Sequence, residues 1–503
     1  MKQLPGNLQS LLARAYVGTL AIVVAGCTVG PDYSQTTTVV PPRWGELPDE
    51  NTLASEAEAL TSRPTSGPPS IAEWWTTFHD PALDSLIHRA IGANLDLRAA
   101  QARVREARAQ RGVVSAELFP TVDARGSYSR SRASENSFTG GSVGTPAGTE
   151  GDLYRVGFDA SWEIDVFGGV RRNVEAADAD IAASIEDRRD VLITLLAEVA
   201  QNYIELRGFQ RRAAIARTNL ETQAETLKIT GARVKAGLAS DLDVARAEAQ
   251  VQTTESQIPS LDSAARRSIH ILSVLLAKHP TALSEELSAI APIPAAPPQV
   301  PIGLPSDLLR RRPDIRRAER QLAAATARIG VATADLFPRF SLVGSLGLES
   351  SQFDSVGDSS SGFWSIGPSV SWPILDFGRI RSNIDVRTAR EEQGFVAYER
   401  VVLVSLREVE DALVAFMKEQ ARHRSLNAAT ESNRRAANLA KQLYQDGLSD
   451  FLSVLQAQRD LFESEDAIAQ SDLAITTNLV SLYKALGGGW EVEARGATTT
   501  NPP

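Results

Sequence analysis

Two stretches of the chain alternate apolar and polar side chains with a period of two. The apolar positions of the first stretch are Tyr154, Val156, Phe158, Ala160, Trp162 and Ile164. Those of the second stretch are Trp364, Ile366, Val370, Trp372 and Ile374. This period predicts β-strands with one apolar face. A weaker alternating stretch precedes each of them across a loop rich in glycine and serine, so we predict two β-hairpins, at about 121–165 and 339–375.

Each predicted hairpin leads into a long segment with the composition of a helix. The segments from 170 to about 235 and from 380 to about 446 are rich in Ala, Leu, Glu, Arg and Gln and contain no proline. At 1.5 Å per residue, each helix is expected to be about 100 Å long. Each segment ends at a glycine, Gly237 or Gly447, after which the helical pattern resumes. We therefore predict helical hairpins with left-handed glycines at their tips, within 170–275 and 380–486.

A shorter helix is predicted before each β-hairpin. The first is expected to continue through Asn94, with an apolar stripe formed by Leu95, Ala99, Ala102 and Val104. It ends at Leu118-Phe119-Pro120, and its counterpart ends at Leu336-Phe337-Pro338.

The same order of elements therefore occurs twice, which predicts a tandem repeat. Trp162 and Trp372 are separated by 210 positions (372 − 162), as are Gly237 and Gly447. The fold class predicted is a mixed α and β membrane protein of two repeats, each combining a β-hairpin with long helical hairpins. The expected segments are a signal peptide at 1–26, an extended N-terminal arm at 27–80, repeat 1 at 81–280, a proline-rich connector at 281–304, repeat 2 at 305–490 and a flexible tail at 491–503.

The N-terminus has the features of a secretory signal. Lys2 and Arg14 precede a short apolar run and then Gly26 and Cys27, the only cysteine in the chain. Val-Ala-Gly-Cys resembles the lipobox of bacterial lipoproteins, so Cys27 is the expected lipid attachment site. The alternative is an ordinary signal sequence with an incidental cysteine.

The two hairpins have strands of about ten residues, which suits a tilted strand that crosses a bilayer. A soluble sheet edge, with one face toward a core and the other toward water, would show the same alternation. Four strands are too few to close a barrel, because single-chain barrels have at least about eight. If the strands lie in lipid, the protein must therefore form an oligomer.

The net charge and the absence of catalytic motifs exclude several classes of function. The formal charge is −10, and residues before Cys27 contribute two positive charges and no negative ones, so the mature chain carries about −12 (−10 − 2). Nucleic acid is excluded as a partner, because no basic tract offsets this acidity. The five histidines lack metal-ligand spacing, and no catalytic or phosphate-binding motif is present. We expect neither an enzyme nor a cofactor.

Several motifs together resemble the TolC-like outer-membrane factors, in the NodT-type lipoprotein branch that serves multidrug pumps of the resistance-nodulation-division class. The matching segments are CTVGPDY from Cys27, LLRRRPDIRRAER from Leu308, DFGRIR from Asp376 and LYKALGGGW from Leu482. The resemblance implies a homotrimer with a shared barrel of about twelve strands, continued by a helical barrel in the periplasm. It also implies an outer-membrane location and two protein partners, a periplasmic adaptor and an inner-membrane proton-driven transporter.

The resemblance also implies roles for residues at the helical tips. The adaptor would dock on the tips, at Val234, Gly237, Leu238, Tyr444, Gly447 and Leu448. Tyr444 and Asp243 occupy the places of a tyrosine and an aspartate whose hydrogen bond closes the aperture in the family. Many relatives carry an aspartate ring near this mouth, but Ser453 and Gln456 stand at the matching positions, with Arg246 on the neighbouring hairpin. Asp241 and Asp450 are the candidate replacements for that ring.

The predicted function is a passive exit duct for drugs or other small molecules. A duct for type I protein secretion or for heavy-metal efflux would have the same fold. A hypothesis of another class is a coiled-coil spacer anchored only by lipid. A spacer would be monomeric or fibrous once its lipid is removed, whereas a barrel would depend on detergent.

Overall fold

The computed structural model describes residues 28–35, 38–47, 62–65, 67, 71–132 and 150–492. The expected signal peptide, Cys27 and residues 493–503 of the expected tail lie outside the described residues. The described helices are α1 Pro81–Ala93, α2 Leu95–Ala116, α3 Gly169–Lys235, α4 Asp241–Leu275, α5 Ser284–Leu287, α6 Pro305–Arg311, α7 Pro313–Ala334, α8 Arg379–Gln445 and α9 Phe451–Ala485. The described strands are β1 Arg63–Thr65, β2 Thr121–Arg132, β3 Glu150–Ile164, β4 Gln299–Pro301, β5 Arg339–Ser350 and β6 Gly362–Ser371.

The predicted repeat is visible in the lengths of the elements. Helices α3 and α8 have 67 residues each, and α4 and α9 have 35 each. Both pairs are offset by 210 positions (379 − 169 and 451 − 241). The elements before the hairpin loops, α2 with α7 and β2 with β5, are offset by 218 (313 − 95 and 339 − 121). Repeat 1 is therefore eight residues longer between its two hairpin strands, and its spacings from α2 to β2 and from α3 to α4 equal those of repeat 2.

The two hairpins form one antiparallel sheet in the order β2-β3-β5-β6. Its central pairing joins the repeats, with Tyr154 opposite Ser350 and Ile164 opposite Phe340. Both hairpins were predicted, but this pairing of β3 with β5 was not. Among the described residues, β2 and β6 each have one neighbouring strand, so each presents an open edge.

The apolar face of the sheet is exposed in the single chain. Trp364 is 76% exposed, Ile366 67% and Leu346 62%. Arg125 and Asp159, which form an ion pair of 3.2 Å, belong to the polar side of the alternation. None of the helices in the described part of the chain is both long enough and apolar enough to cross a bilayer.

The second hairpin is shorter than predicted. Strand β6 ends at Ser371, so Trp372 and Ile374 lie beyond it. Pro373 has no N–H to donate to a ladder, which accounts for the end of the strand. Trp372 is nevertheless fixed as its counterpart is: Trp162 Nε1 donates to the Leu118 oxygen and Trp372 Nε1 to the Leu336 oxygen, both at 3.0 Å.

The first predicted helix is two helices in the structure, and most of the side chains predicted for its apolar stripe are not the buried ones. Asn94 is extended (φ −55°, ψ 136°) and ends α1, and its Oδ1 accepts a hydrogen bond from the Leu97 N–H at 3.0 Å. Asn94 thus caps a new helix, α2. The buried side chains of α2 are Leu97, Ala100 and Val104, whereas Leu95, Ala99 and Ala102 are exposed.

The chain divides into two compact units that do not coincide with the repeats. The first contains the described residues of Met1–Thr36, Val104–Ala183 and Ala318–Ala397, including the four-stranded sheet. The second contains those of Thr37–Arg103, Ser184–Arg317 and Tyr398–Pro503. Each unit draws on both repeats because the long helices contribute to both.

The core of the second unit contains buried aromatic residues. Trp74 stacks on Tyr483 with ring centroids 5.3 Å apart, and both are buried. The buried Tyr203 donates a hydrogen bond to Asp80 at 2.8 Å, and burial raises the pKa of its phenol to about 12. Trp44 of the N-terminal arm is buried, and its Nε1 donates to the Gly303 oxygen at 3.0 Å.

Candidate functional site at the helical tips

The tips of the two helical hairpins are built alike. Gly237 has φ +75° and Gly447 has φ +77°, a conformation that glycine adopts without steric cost. The Leu238 N–H donates to the Arg233 oxygen and the Leu448 N–H to the Leu443 oxygen, both at 2.8 Å. These bonds satisfy carbonyls at the helix ends. The side chains of Leu238 and Leu448 are 67% and 75% exposed, so the turn at each tip presents a leucine to its surroundings.

The return helices begin with side-chain caps. Ser240 and Asp243 form a reciprocal capping box at the start of α4. Asp450 caps α9, accepting from the Ser453 N–H at 2.9 Å and from its hydroxyl at 2.7 Å. These bonds from Ser453 lower the pKa of Asp450. Asp450 is therefore an exposed, ionised carboxylate at the mouth of this hairpin.

The expected hydrogen bond between Tyr444 and Asp243 is not formed. The Asp243 carboxylate accepts from Ser240 instead, because the capping box holds it at the helix start. Tyr444 is buried, and its hydroxyl has no hydrogen-bond partner among the described residues. Its ring packs with Ala247, Phe451 and Val454 in a group that we call the tip cluster.

Arg233, and not Asp243, contacts Tyr444 in this structure. Its Nη1 donates to the Tyr444 main-chain oxygen at 2.7 Å, and its guanidinium carbon lies 4.5 Å from the Tyr444 ring centroid. The end of α3 is thereby joined to the end of α8. Arg233 was not predicted as a site residue, because a basic residue in the last turn of a helix commonly interacts with the helix dipole. Its only signal was its position one turn before Gly237.

The other predicted aperture residues bond within their own helices. Arg246 Nη1 lies 4.0 Å from Asp243 Oδ1, and both residues belong to α4. Gln456 Nε2 donates to Asp460 Oδ1 at 2.7 Å on α9. Ser453 and Gln456 both line an open groove, which Asn433 and Asp460 also border. The structure thus brings Ser453 and Gln456 together and keeps Arg246 with Asp243.

Further polar contacts join helices of different repeats. Gln458 of α9 donates to Thr226 of α3 at 2.9 Å, in a buried position. Lys441 of α8 and Glu225 of α3 form an exposed ion pair of 3.1 Å. Arg212 of α3 and Asp466 of α9 form a two-pronged ion pair at 2.7 and 3.0 Å. Helix α3 is therefore attached to both helices of the second hairpin.

The residues that follow Cys27 are fixed on the first unit. The Val29 N–H donates to the Phe167 oxygen at 3.2 Å. The buried Arg172 donates to the Val29 oxygen at 3.1 Å and to Asp32 at 2.6 Å. Thr28 lies against Gly168, between β3 and α3. Cys27 itself is outside the described residues, but its neighbour in sequence is held where the strands lead into the long helix.

A sheet with an exposed apolar face, followed in the chain by helices of 67 residues with capped tips, is the architecture of an outer-membrane channel protein. Comparison with known proteins identifies the family. The model of the outer membrane efflux protein family matches residues 86–277 and 304–488. The chain belongs to this family, and it is the exit duct of an efflux system in the outer membrane, with its long helices in the periplasm.

Individual relatives match over nearly the whole chain. Nodulation protein T of Rhizobium leguminosarum bv. trifolii is 31% identical, over 94% of this chain and 97% of its own length. The toluene efflux pump outer membrane protein TtgI of Pseudomonas putida is 34% identical, over the same shares. The solved structure of the outer-membrane channel OprN is 38% identical with a TM-score of 0.83, covering 92% of this chain and 100% of that one. The resemblance read from the motifs is confirmed.

Proposed function

We propose that three copies of this chain form the outer-membrane duct of a tripartite efflux pump. An inner-membrane proton-driven transporter of the resistance-nodulation-division class does the work, and a periplasmic adaptor connects it to the duct. The observation that carries the proposal is the direct succession of strand and helix in both repeats. Helix α3 starts five residues after β3 (169 − 164) and, with 67 residues, is about 100 Å long, which is enough to cross much of a periplasm.

The four strands of each chain contribute one third of a shared barrel of twelve strands. Open sheet edges are not tolerated in hydrocarbon, so β2 and β6 must each gain a neighbour in the membrane. The exposed apolar side chains of the sheet, such as Trp364 and Ile366, then face lipid. Cys27 carries the lipid anchor, and the fixed position of Thr28 next to Gly168 holds that anchor near the barrel rim.

The tips form the docking surface for the adaptor. The two turns are similar, and each has an exposed leucine. A helical hairpin of the adaptor can pack against these two leucines. The docking residues proposed are Val234, Gly237, Leu238, Gly447 and Leu448; Tyr444, which the sequence also placed among them, is buried in the tip cluster and offers its side chain to no partner while the tip is closed. Gly237 and Gly447 serve the turns, and Leu238 and Leu448 offer the apolar area.

The tip cluster and Arg233 form the closed aperture. Asp243, Arg246, Ser453 and Gln456 surround it as proposed gating residues. Docking of the adaptor would spread the hairpins and break the Arg233–Tyr444 contact. The substrates proposed are small organic molecules, in keeping with relatives named for toluene, solvent and pyoverdine transport.

The proposal is tested by efflux in cells of the native bacterium from which the gene for this chain has been deleted. We expect a fluorescent dye to accumulate several-fold more in the deletion strain, and the native gene to restore efflux. A Leu238→Glu, Leu448→Glu double variant is expected to fail to restore it, because two carboxylates on the tips oppose an apolar contact. The matched control is Ile290→Glu, which changes an apolar residue of similar exposure (61%) in the connector and is expected to restore efflux.

Equal dye accumulation with and without the gene would overturn the efflux function. Full efflux by the double variant would overturn docking at the tips and leave the efflux function in place. Membrane levels and oligomer size of each variant are measured in the same cells, so that loss of the protein is not mistaken for loss of docking.

A further inference from the structure

Phe377 is an unusual residue for a protein surface. Its side chain is 91% exposed, and its backbone has φ +51°. A left-handed conformation costs a non-glycine residue roughly 1–2 kcal/mol, and exposure of a phenyl ring forgoes its burial. Both features are unfavourable in the single chain, where the described residues leave 91% of the Phe377 side chain exposed.

The position equivalent to Phe377 in repeat 1 is also a phenylalanine, and there its ring is stacked. The counterpart of Phe377 in repeat 1 is Phe167 (377 − 210), which stacks on Phe337 with ring centroids 4.5 Å apart and an interplanar angle of 22°. The counterpart of Phe337 is Phe119 (337 − 218), which is 67% exposed. One aromatic pair is thus complete within the chain, and the members of the equivalent pair, Phe377 and Phe119, are both exposed.

The same asymmetry extends along the adjoining helix and sheet. Ala176 of α3 is 1% exposed, whereas its counterpart on α8, Val386, is 46% exposed. Strand β3 pairs with β5, but their counterparts, β6 and β2, are the two open edges of the sheet. Repeat 2 is therefore exposed at three places whose counterparts in repeat 1 are covered by the other repeat: Phe377, Val386 and the edge of β6.

We propose that Phe377 of one chain stacks on Phe119 of a second copy, as Phe167 stacks on Phe337 within the chain. Within the chain, repeat 1 (Phe167) is covered by repeat 2 (Phe337). The equivalent residue of repeat 2 (Phe377) would be covered by the equivalent residue of repeat 1 (Phe119). Both are exposed in the single chain, so the covering surface must belong to a second copy. Such a head-to-tail contact closes into a ring when its rotation allows. The inference rests on the proposed oligomeric duct and specifies its subunit contact.

The repeat also fixes the register of the new strand pair. Trp162 lies opposite Leu342 in the internal junction. Ala160 likewise lies opposite Gly344, and applying the two offsets to this pair places Val370 (160 + 210) of β6 opposite Gly126 (344 − 218) of β2 in the second copy. In this arrangement β6 of one chain joins β2 of the next, and neither edge remains open.

Cross-linking between paired cysteines tests the contact. In the full-length protein, Phe119 and Phe377 are both replaced by cysteine and treated with a short thiol-specific cross-linker in detergent. We expect the majority of the Phe119→Cys, Phe377→Cys protein to run as covalent multimers in denaturing gels. The matched control is the Phe167→Cys, Phe337→Cys variant, which is expected to link within one chain and to keep the mass of a monomer.

Single-cysteine variants, which also retain Cys27, are expected to remain unlinked and show that Cys27 takes no part. If the native protein is an oligomer by light scattering and the control pair links internally, but the Phe119/Phe377 pair stays monomeric, the proposed contact is wrong and the duct stands. If the native protein is monomeric in every detergent and lipid tested, both proposals are wrong.

Discussion

Replacement of Arg233 by alanine is expected to raise the mean conductance of the duct in a planar bilayer several-fold. Arg233 joins α3 to α8 through a hydrogen bond of 2.7 Å and a ring contact of 4.5 Å, both with Tyr444. A hydrogen bond to a charged donor contributes about 1.5–3 kcal/mol. Since about 1.4 kcal/mol corresponds to a factor of ten in an equilibrium constant, the closed tip of each chain would be weakened on the order of tenfold or more.

The chain offers a matched control for this substitution. Lys441→Ala removes another positive charge that joins α3 to α8, but its ion pair with Glu225 is exposed. Exposed pairs contribute about 0–1 kcal/mol, so this variant is expected to conduct like the native protein. Equal conductance of the Arg233 variant and the native protein would contradict the role given to the Arg233–Tyr444 contact in closing the aperture.

Alanine substitutions at two equivalent glycines are expected to change stability in opposite directions. A Cβ on Gly330 would lie 2.8 Å from the Arg172 Cγ and 2.9 Å from the Val29 oxygen. Gly330→Ala therefore displaces Arg172 and the segment after Cys27. We expect the net cost to be about 1–3 kcal/mol, because overpacking outweighs the gain in helix propensity.

Gly112 occupies the position equivalent to Gly330 in repeat 1 (330 − 218), and nothing in the single chain lies within 4 Å of a Cβ built there. In the proposed contact with a second copy, the residue equivalent to Arg172 is Ser382 (172 + 210), whose short side chain leaves room for a methyl group. Gly112→Ala is expected to stabilise the protein by about 0.5–1 kcal/mol through helix propensity alone. The thermal unfolding midpoint in detergent gives the sign of each effect. Limited proteolysis is expected to show faster cleavage near residues 28–35 in the Gly330 variant only. A similar shift for both variants would mean that the N-terminal segment does not pack as described.

The elements of this fold could be predicted where the sequence repeats a simple pattern. Alternation from Tyr154 to Ile164 and the proline-free segments before Gly237 and Gly447 lead directly to β3, α3 and α8. The repeat offset reinforces each of these assignments. The pairing of β3 with β5 could not be predicted in the same way, since both strands have one apolar and one polar face and the pattern does not specify a partner.

The predictions that were wrong concern residues at the ends of helices and strands, where two local conformations compete. Asn94 could continue a helix or cap a new one, and its hydrogen bond to Leu97 decides for the cap and shifts the buried stripe. Pro373 ends β6 before Trp372, although the apolar alternation continues past it.

The tips show how far the candidate site could be predicted. The glycines were evident from the sequence because the turns require their conformation. The partner of Tyr444 was not, because Asp243 has a closer alternative in Ser240, three residues away. A helix-capping bond within one turn forms without bringing distant elements together, whereas the Tyr444 contact depends on how α3 and α8 approach each other. Side-chain contacts between distant segments are the part that sequence patterns leave open.

Single-channel recording of the purified native protein in a planar lipid bilayer would show directly whether the chain forms a gated duct. The expected result is discrete conductance steps from the oligomer, small in the native protein because the tips are closed. The contradicting result is an absence of steps from protein that is shown to be oligomeric and incorporated in the bilayer, for both the native form and the Arg233→Ala variant. In that case the protein would be a membrane-attached spacer and not a channel.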